Sequence, residues 1–121
     1  MVENFYRGLL YVLRERSEEE YFVIEGSKFH DAFGEIVKQA KDCNLTTLEV
    51  FIDPMFGRYP EVSDFIYEGL QNLIISVDNS CPQRAYYRIS KEGATRELNR
   101  MENSDLYRKF ADSFLKNSYF F

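Results

Sequence analysis

The chain is poor in the residue types on which most catalytic and metal sites depend. It has one histidine, His30, and two cysteines, Cys43 and Cys81, which lie far apart and outside any CxxC motif. Catalytic triads and zinc sites draw on histidine or on clustered cysteine, and the glycine-rich phosphate-binding motifs are also missing. We therefore expect no catalytic residue, no metal and no cofactor, with His30 as a surface or boundary residue. An enzyme of an unrecognised kind would need a pocket of converging carboxylates with strongly shifted pKa values.

Long apolar runs and an excess of positive charge are missing as well. No stretch approaches the roughly 18 apolar residues of a membrane span, and the N-terminal segment, with its short and interrupted apolar part, differs from a signal peptide. The formal net charge of -5 gives no overall attraction to nucleic acid or to anionic lipid. We expect a cytoplasmic protein in which Cys43 and Cys81 are reduced thiols. A disulfide between them is the alternative.

Apolar and aromatic side chains, by contrast, are abundant. They make up 45% and 17% of the chain, and eleven Phe and nine Tyr residues are ample for a packed core. The length indicates a single domain over 1–121. We divide it into N-terminal helices in 1–44, a central unit in 45–100, and a C-terminal helix with an aromatic tail in 101–121.

The N-terminal part has two helical patterns with a short extended segment between them. Apolar residues at helical spacing predict a helix over 3–16, with Arg and Glu on its opposite face. The segment "YFVIEG" at 21–26 is predicted to be extended. Ser27 is predicted to cap a second amphipathic helix, which ends at "KDCN". The next stretch, "TTLEVFIDP" at 46–54, fits either a capped helix or a strand.

A third helix and a hairpin are predicted from residue 60 onward. Pro60 suits a first helical turn. Strand-like residues at 73–78 and 84–90 predict an antiparallel hairpin with the six-residue tip "DNSCPQ". The apolar face of the third helix consists of Val62, Phe65, Ile66, Gly69, Leu70 and Leu73.

The C-terminal part is predicted to be helical and carries exposed or docking aromatic residues. Helices are expected at 91–102 and 105–117, with Ser104 as the cap of the second, whose apolar face includes Leu106 and Ala111. The tail residues Tyr119, Phe120 and Phe121 either fold back onto the first helix or dock on a second subunit, and both alternatives stay open. The candidate residues for dimer or docking contacts are these three together with Phe110 and Phe114 of the helix face.

The segment "NLIISVDNSCPQRAYYRISKEG" at 72–93 resembles the wing of MarR-like and PadR-like winged helix-turn-helix regulators, where a strand and a variable tip precede "YYRLTEKG". Ser90 stands at the usual Thr, and Gly93 at the Gly. The preceding stretch, "FIDPMFGRYPEVSDFIYEGLQNLI", is similar to a looser group of small winged-helix proteins that includes the Panacea-type antitoxins. Its turn, "GRYP", departs from their Gly-Pro-Tyr-Ser. The resemblance covers 45–100 and implies an α+β, mostly helical fold: a winged helix-turn-helix with a two-stranded wing and extra N- and C-terminal helices.

In such regulators the helix before the wing usually enters the major groove, and the wing touches the DNA backbone or minor groove. The corresponding helix here, 60–72, exposes three carboxylates and no base, and phosphate repels carboxylates. Its amides, Gln71 and Asn72, could read adenine. The wing is more basic, and we expect its tyrosines to face the core and its arginines to face solvent. Candidate contacts with nucleic acid or with a partner are Arg58, Tyr67, Gln71, Asn72, Arg84, Arg88 and Lys91.

These residues favour a non-catalytic winged-helix module that regulates or binds through a protein partner or as a homodimer. The acidic helix 60–72, the net charge and the aromatic tail support it. The alternative is a DNA-binding transcriptional regulator that uses the wing arginines, and its support is the family resemblance alone.

Overall fold

Helices and strands alternate along the chain much as the apolar spacing predicts. A computed structural model describes residues 2–24, 27–48, 55, 59–78 and 80–116. Within these residues the fold is α+β and mostly helical, as predicted, and no helix there is long and apolar enough to cross a membrane. The elements are α1 (Val2–Arg16), β1 (Tyr21–Val23), α2 (Ser27–Asp42), α3 (Glu61–Gln71), β2 (Ile75–Asp78), β3 (Cys81–Tyr87), α4 (Lys91–Asn99) and α5 (Ser104–Lys116).

The sheet has three antiparallel strands in the order β1-β3-β2. Tyr21 pairs with Tyr86 on one side of β3, and Ile75 pairs with Tyr87 on the other. The predicted hairpin is therefore confirmed, but it does not stand alone. The short extended segment "YFV" adds a third strand, which ties the N-terminal part of the chain to the hairpin.

The tip of the hairpin is shorter than predicted. Only residues 79–80 separate β2 from β3, because Cys81 already pairs with Asp78. The carboxylate of Asp78 closes this turn by accepting hydrogen bonds from the amide and the hydroxyl of Ser80, at 2.9 and 2.8 Å. Pro82 is tolerated in β3 because it lies beyond Arg84, the last residue paired with β1, and in the irregular stretch between the pairs Val77/Ala85 and Asp78/Cys81, where the register with β2 shifts.

Aromatic side chains form the centre of the core. Phe22 of β1 stacks on Phe29 of α2 with ring centroids 5.6 Å apart, and Phe33 lies 5.6 Å from Phe65 of α3. Each such buried ring contributes about 1.5–3 kcal/mol by leaving water. The core therefore holds β1, α2 and α3 together, and its fully buried phenylalanines are Phe5, Phe22, Phe29, Phe33 and Phe65.

Polar contacts fasten α4 and α5 to α1. The Glu15 carboxylate accepts two hydrogen bonds from the Arg108 guanidinium, at 2.9 and 3.0 Å, and one from the Thr95 hydroxyl at 2.7 Å. Arg108 and Thr95 thereby hold the pKa of Glu15 below its ordinary value. The predicted cap of α5 is displaced by one position: α5 begins at Ser104 itself, and the Asn103 carbonyl accepts the first hydrogen bonds.

Candidate interaction surface

The side chains of β3 alternate between the two faces of the sheet. Ala85 is fully buried beneath it, whereas Arg84 and Tyr86 lie on the outer face with Tyr21. The Tyr21 and Tyr86 rings are 5.8 Å apart, and the Arg84 guanidinium lies 4.5 Å above the Tyr21 ring. The prediction that both tyrosines face inward is thus wrong for Tyr86, because side chains along a strand alternate with period two. Arg84 is half-buried on an aromatic ring rather than free in solvent.

Tyr87 lies on the inner face and forms part of a buried polar network. Burial raises its pKa, and a hydrogen bond with Ser17 and the charge of Arg14 partly oppose the rise. Arg14 donates to the Ile89 carbonyl at 2.8 Å, pairs with Glu20 at 3.2 Å and lies 5.1 Å from the Tyr87 ring centroid. Helical spacing predicts Arg14 on the polar face of α1, and this buried role leaves no local signal because the contact with Ile89 joins residues 75 positions apart.

The other basic candidates lie where β3 leads into α4. Arg88 and Lys91 are both exposed. The Arg88 amide donates to the Ile74 carbonyl at 2.8 Å, which holds its backbone beside the end of α3. Ser90 caps α4 by accepting from the Gly93 amide at 3.0 Å. The two cations therefore start from a rigid backbone, and Arg58, the remaining basic candidate, lies outside the described residues.

The exposed amides of α3 are engaged within the helix. The Gln71 amide donates to the Tyr67 hydroxyl at 2.7 Å. The Asn72 amide donates to the main-chain carbonyl and to the carboxylate of Glu68, at 2.9 and 2.8 Å. Reading adenine would break these bonds, because bidentate recognition needs both the donor and the acceptor of the side chain.

Negative charge dominates α3. Glu61, Asp64 and Glu68 belong to it, and it has no Lys or Arg. Glu68 is 3.4 Å from Arg7 of α1 and is partly neutralised. One oxygen of Glu61 is buried without a hydrogen-bond partner, in the first turn, where the helix dipole favours a carboxylate. Asp64 is exposed, so the outer side of the helix presents a net negative charge.

The end of α3 departs from the predicted apolar face. Val62, Phe65 and Gly69 are buried as expected, but Leu70 and Leu73 are exposed, by 38% and 61%. Leu73 is exposed because the helix ends at Gln71 and the chain turns away, whereas Leu70 lies within the helix but on its exposed side.

A left-handed residue makes this turn. The Ile74 amide bonds to the Gly69 carbonyl and the Leu73 amide to that of Leu70, at 2.9 and 3.3 Å. This pairing is a Schellman motif. Its left-handed position, normally taken by glycine, is occupied by Leu73 with φ 57°. A side chain in this conformation costs about 1–2 kcal/mol, so an exposed leucine is held here at an energetic cost.

The aromatic docking candidates divide between described and undescribed parts of the chain. Phe110 is buried in the chain's own core, in α5, which packs on α1 and α2. In the single chain Phe110 is therefore a core residue, not an exposed docking residue. The side chain of Phe114, and the residues Tyr119, Phe120 and Phe121, lie outside the described part.

We expected His30 at the surface or boundary, but it is buried. Its Nδ1 accepts a hydrogen bond from the Tyr59 amide at 2.9 Å, so it anchors the chain just before α3. Cys43 is an exposed free cysteine. Among the residues that the structure describes, no cluster of His, Cys, Asp and Glu could hold a metal ion.

Comparison of the chain with protein-family models, with curated proteins and with solved structures gave no match.

Proposed function

We propose that this chain is a non-catalytic winged helix-turn-helix module that acts by binding protein, either a partner or a second copy of itself. The order of elements supports this proposal. An antiparallel hairpin follows α3 directly, and a helix capped by Ser90 follows the hairpin, in the segment whose sequence resembles the winged-helix wing. The hairpin also packs on α3: a Cβ placed on Gly69 would lie 2.7 Å from Ile75 Cγ1.

The observation that carries the proposal is the surface of α3. In a winged helix-turn-helix module this helix would be the recognition helix, yet it has three carboxylates and no base. Lysine and arginine supply most of the affinity of a protein for DNA by neutralising phosphate. Asp64 is exposed and Glu61 and Glu68 are half-buried, and the other exposed side chains of the helix are Ser63, Tyr67, Leu70 and Gln71. The amides of Gln71 and Asn72 are bonded to neighbouring residues of the same segment. Such a surface suits a protein partner.

The alternative is a DNA-binding regulator that contacts DNA through the hairpin. The exposure of Arg88 and Lys91 favours it. Arg84 is less suited, because its guanidinium is stacked on Tyr21. Two exposed cations neutralise few phosphates, so we rank this function second.

The two functions are separated by measuring protein and DNA binding on the same preparation. We expect a stoichiometric protein partner that survives nuclease treatment, or a dimer in sedimentation equilibrium. The matched control is a mobility shift with duplex DNA at several salt concentrations. Steep salt dependence together with loss of binding in Arg84→Ala/Arg88→Ala would overturn the protein-binding proposal.

A further inference from the structure

The exposed large apolar residues of the described part are concentrated at the end of α3. Tyr67, Leu70 and Leu73 are three of five such residues, and they lie within seven positions of one another. The other two are Val23 of β1 and Met55. Single exposed apolar residues are normal on a protein surface, whereas a contiguous group marks an interaction site. We call Tyr67, Leu70 and Leu73 the α3 patch.

Two features of the α3 patch suit it to binding. The hydrogen bond from Gln71 to the Tyr67 hydroxyl holds the tyrosine side chain along the helix, so little freedom is lost on contact. Tyrosine is also among the residues enriched at the centres of protein interfaces. Leu73 occupies the left-handed position that glycine usually takes, and it thereby exposes an apolar side chain where glycine would have none.

Charge tells which kind of partner fits. Asp64 precedes Tyr67 by three positions, so it lies in the same row of side chains as Tyr67 and Leu70. Among the described residues no cation pairs with Asp64, and α3 itself has none. The row is therefore acidic toward the start of α3 and apolar toward its end. A complementary partner presents cations beside the first half of α3 and apolar side chains beside the second.

The shape of this row points to a helical partner. Side chains three apart form one of the ridges by which a helix packs into the groove of another helix. We propose, building on the function proposed above, that the α3 patch with Asp64 is the docking site for an amphipathic helix of another protein, one that carries a leucine-like row edged with lysine or arginine.

The test uses the full chain, labelled with ¹⁵N, and two designed peptides as probes. Both are helix-forming peptides of about 18 residues with the same row of leucines, and their polar positions are lysine in one and glutamate in the other. We expect the lysine peptide to shift the amide signals of 61–73 and to bind at least about tenfold more tightly than the glutamate peptide.

Variants locate the site and its charge. Tyr67→Ser/Leu70→Ser should weaken binding of the lysine peptide by about tenfold or more. The matched control Val23→Ser, which also removes an exposed apolar side chain, should leave this binding unchanged. Asp64→Lys should weaken binding of the lysine peptide and strengthen binding of the glutamate peptide. All of these side chains are exposed, and unchanged melting temperatures verify that the variants are folded.

Equal binding of the two peptides, or signal shifts confined to the outer face of the sheet, would overturn this inference. So would self-association in sedimentation equilibrium that Tyr67→Ser/Leu70→Ser abolishes, because the occupant would then be a second copy. That last result would leave the proposed protein-binding function standing. Salt-dependent DNA binding lost in Arg84→Ala/Arg88→Ala would remove both.

Discussion

Replacement of Gly8 by alanine tests the packing of α5 on α1, because the structure and helix propensity predict opposite signs. Gly8 lies in the middle of α1 and is buried. A Cβ built at this position would come within 2.8 Å of three ring carbons of Tyr107. Since Tyr107 is only 3% exposed, its ring has no open side into which it can move.

The magnitude follows from two opposing effects. In an unobstructed helix, Gly→Ala stabilises a protein by about 0.5–1 kcal/mol. Forcing an extra carbon into a packed core costs about 1–3 kcal/mol. We expect a net loss of about 1–2 kcal/mol for Gly8→Ala. For a domain of this size, each kcal/mol lost lowers Tm by about 3–5 °C.

The assay is thermal and urea unfolding followed by circular dichroism, in a double-mutant cycle with Tyr107→Leu. In the smaller Leu background Gly8→Ala should be neutral or stabilising by up to about 1 kcal/mol, which gives a coupling energy of about 1–3 kcal/mol. Gly93→Ala is the matched control, since its nearest contacts, Ile89 and the Ser90 hydroxyl, begin at 3.0 Å and can yield. If Gly8→Ala raises stability in both backgrounds, the described contact between α1 and α5 is wrong.

Three further outcomes can be checked by unfolding and titration. Glu15→Gln should cost about 1–3 kcal/mol. Because Arg108 lowers the pKa of Glu15, the stabilisation by the Glu15–Arg108 pair is complete above the ordinary carboxyl pKa and is lost as the pH falls through the lower pKa of the folded state. The free energy of unfolding of the variant, measured in urea, should therefore depend less on pH in acid. An unchanged acid slope would argue against the pairing. Leu73→Asn should leave stability unchanged or raise it by up to about 1 kcal/mol, since Asn tolerates positive φ. Leu98→Ala, in the fully buried core, should cost about 2–5 kcal/mol. Equal losses for the two variants would mean that Leu73 is not at the surface. Burial raises the pKa of Tyr107 to about 12, so its phenol, followed by absorbance, should ionise well above pH 10. Folding stability should therefore fall as the pH rises past 10. Ionisation of Tyr107 near pH 10 would contradict its burial.

The absence of a base from α3 was visible before any coordinates, because it depends only on which residues the helix contains. The expectation that all three carboxylates are exposed was wrong for Glu61 and Glu68, which are half-buried. The orientation of Tyr86 was not visible from the sequence. Its neighbour Tyr87 is chemically identical, and only the strand register decides which tyrosine faces the core. A register shift of one residue would have exchanged their roles.

Local patterns by themselves determined the helices, the hairpin and the α+β class of this protein. Periodicity and caps act over a few positions, so a single chain carries them in full. Tertiary structure alone decided that "YFV" joins the hairpin as a third strand, that Arg14 is buried beneath Tyr87, and that Leu70 and Leu73 are left in solvent. Each of these outcomes depends on contacts between distant residues or on where a helix stops against its neighbours, and such contacts leave no periodic signal along the sequence.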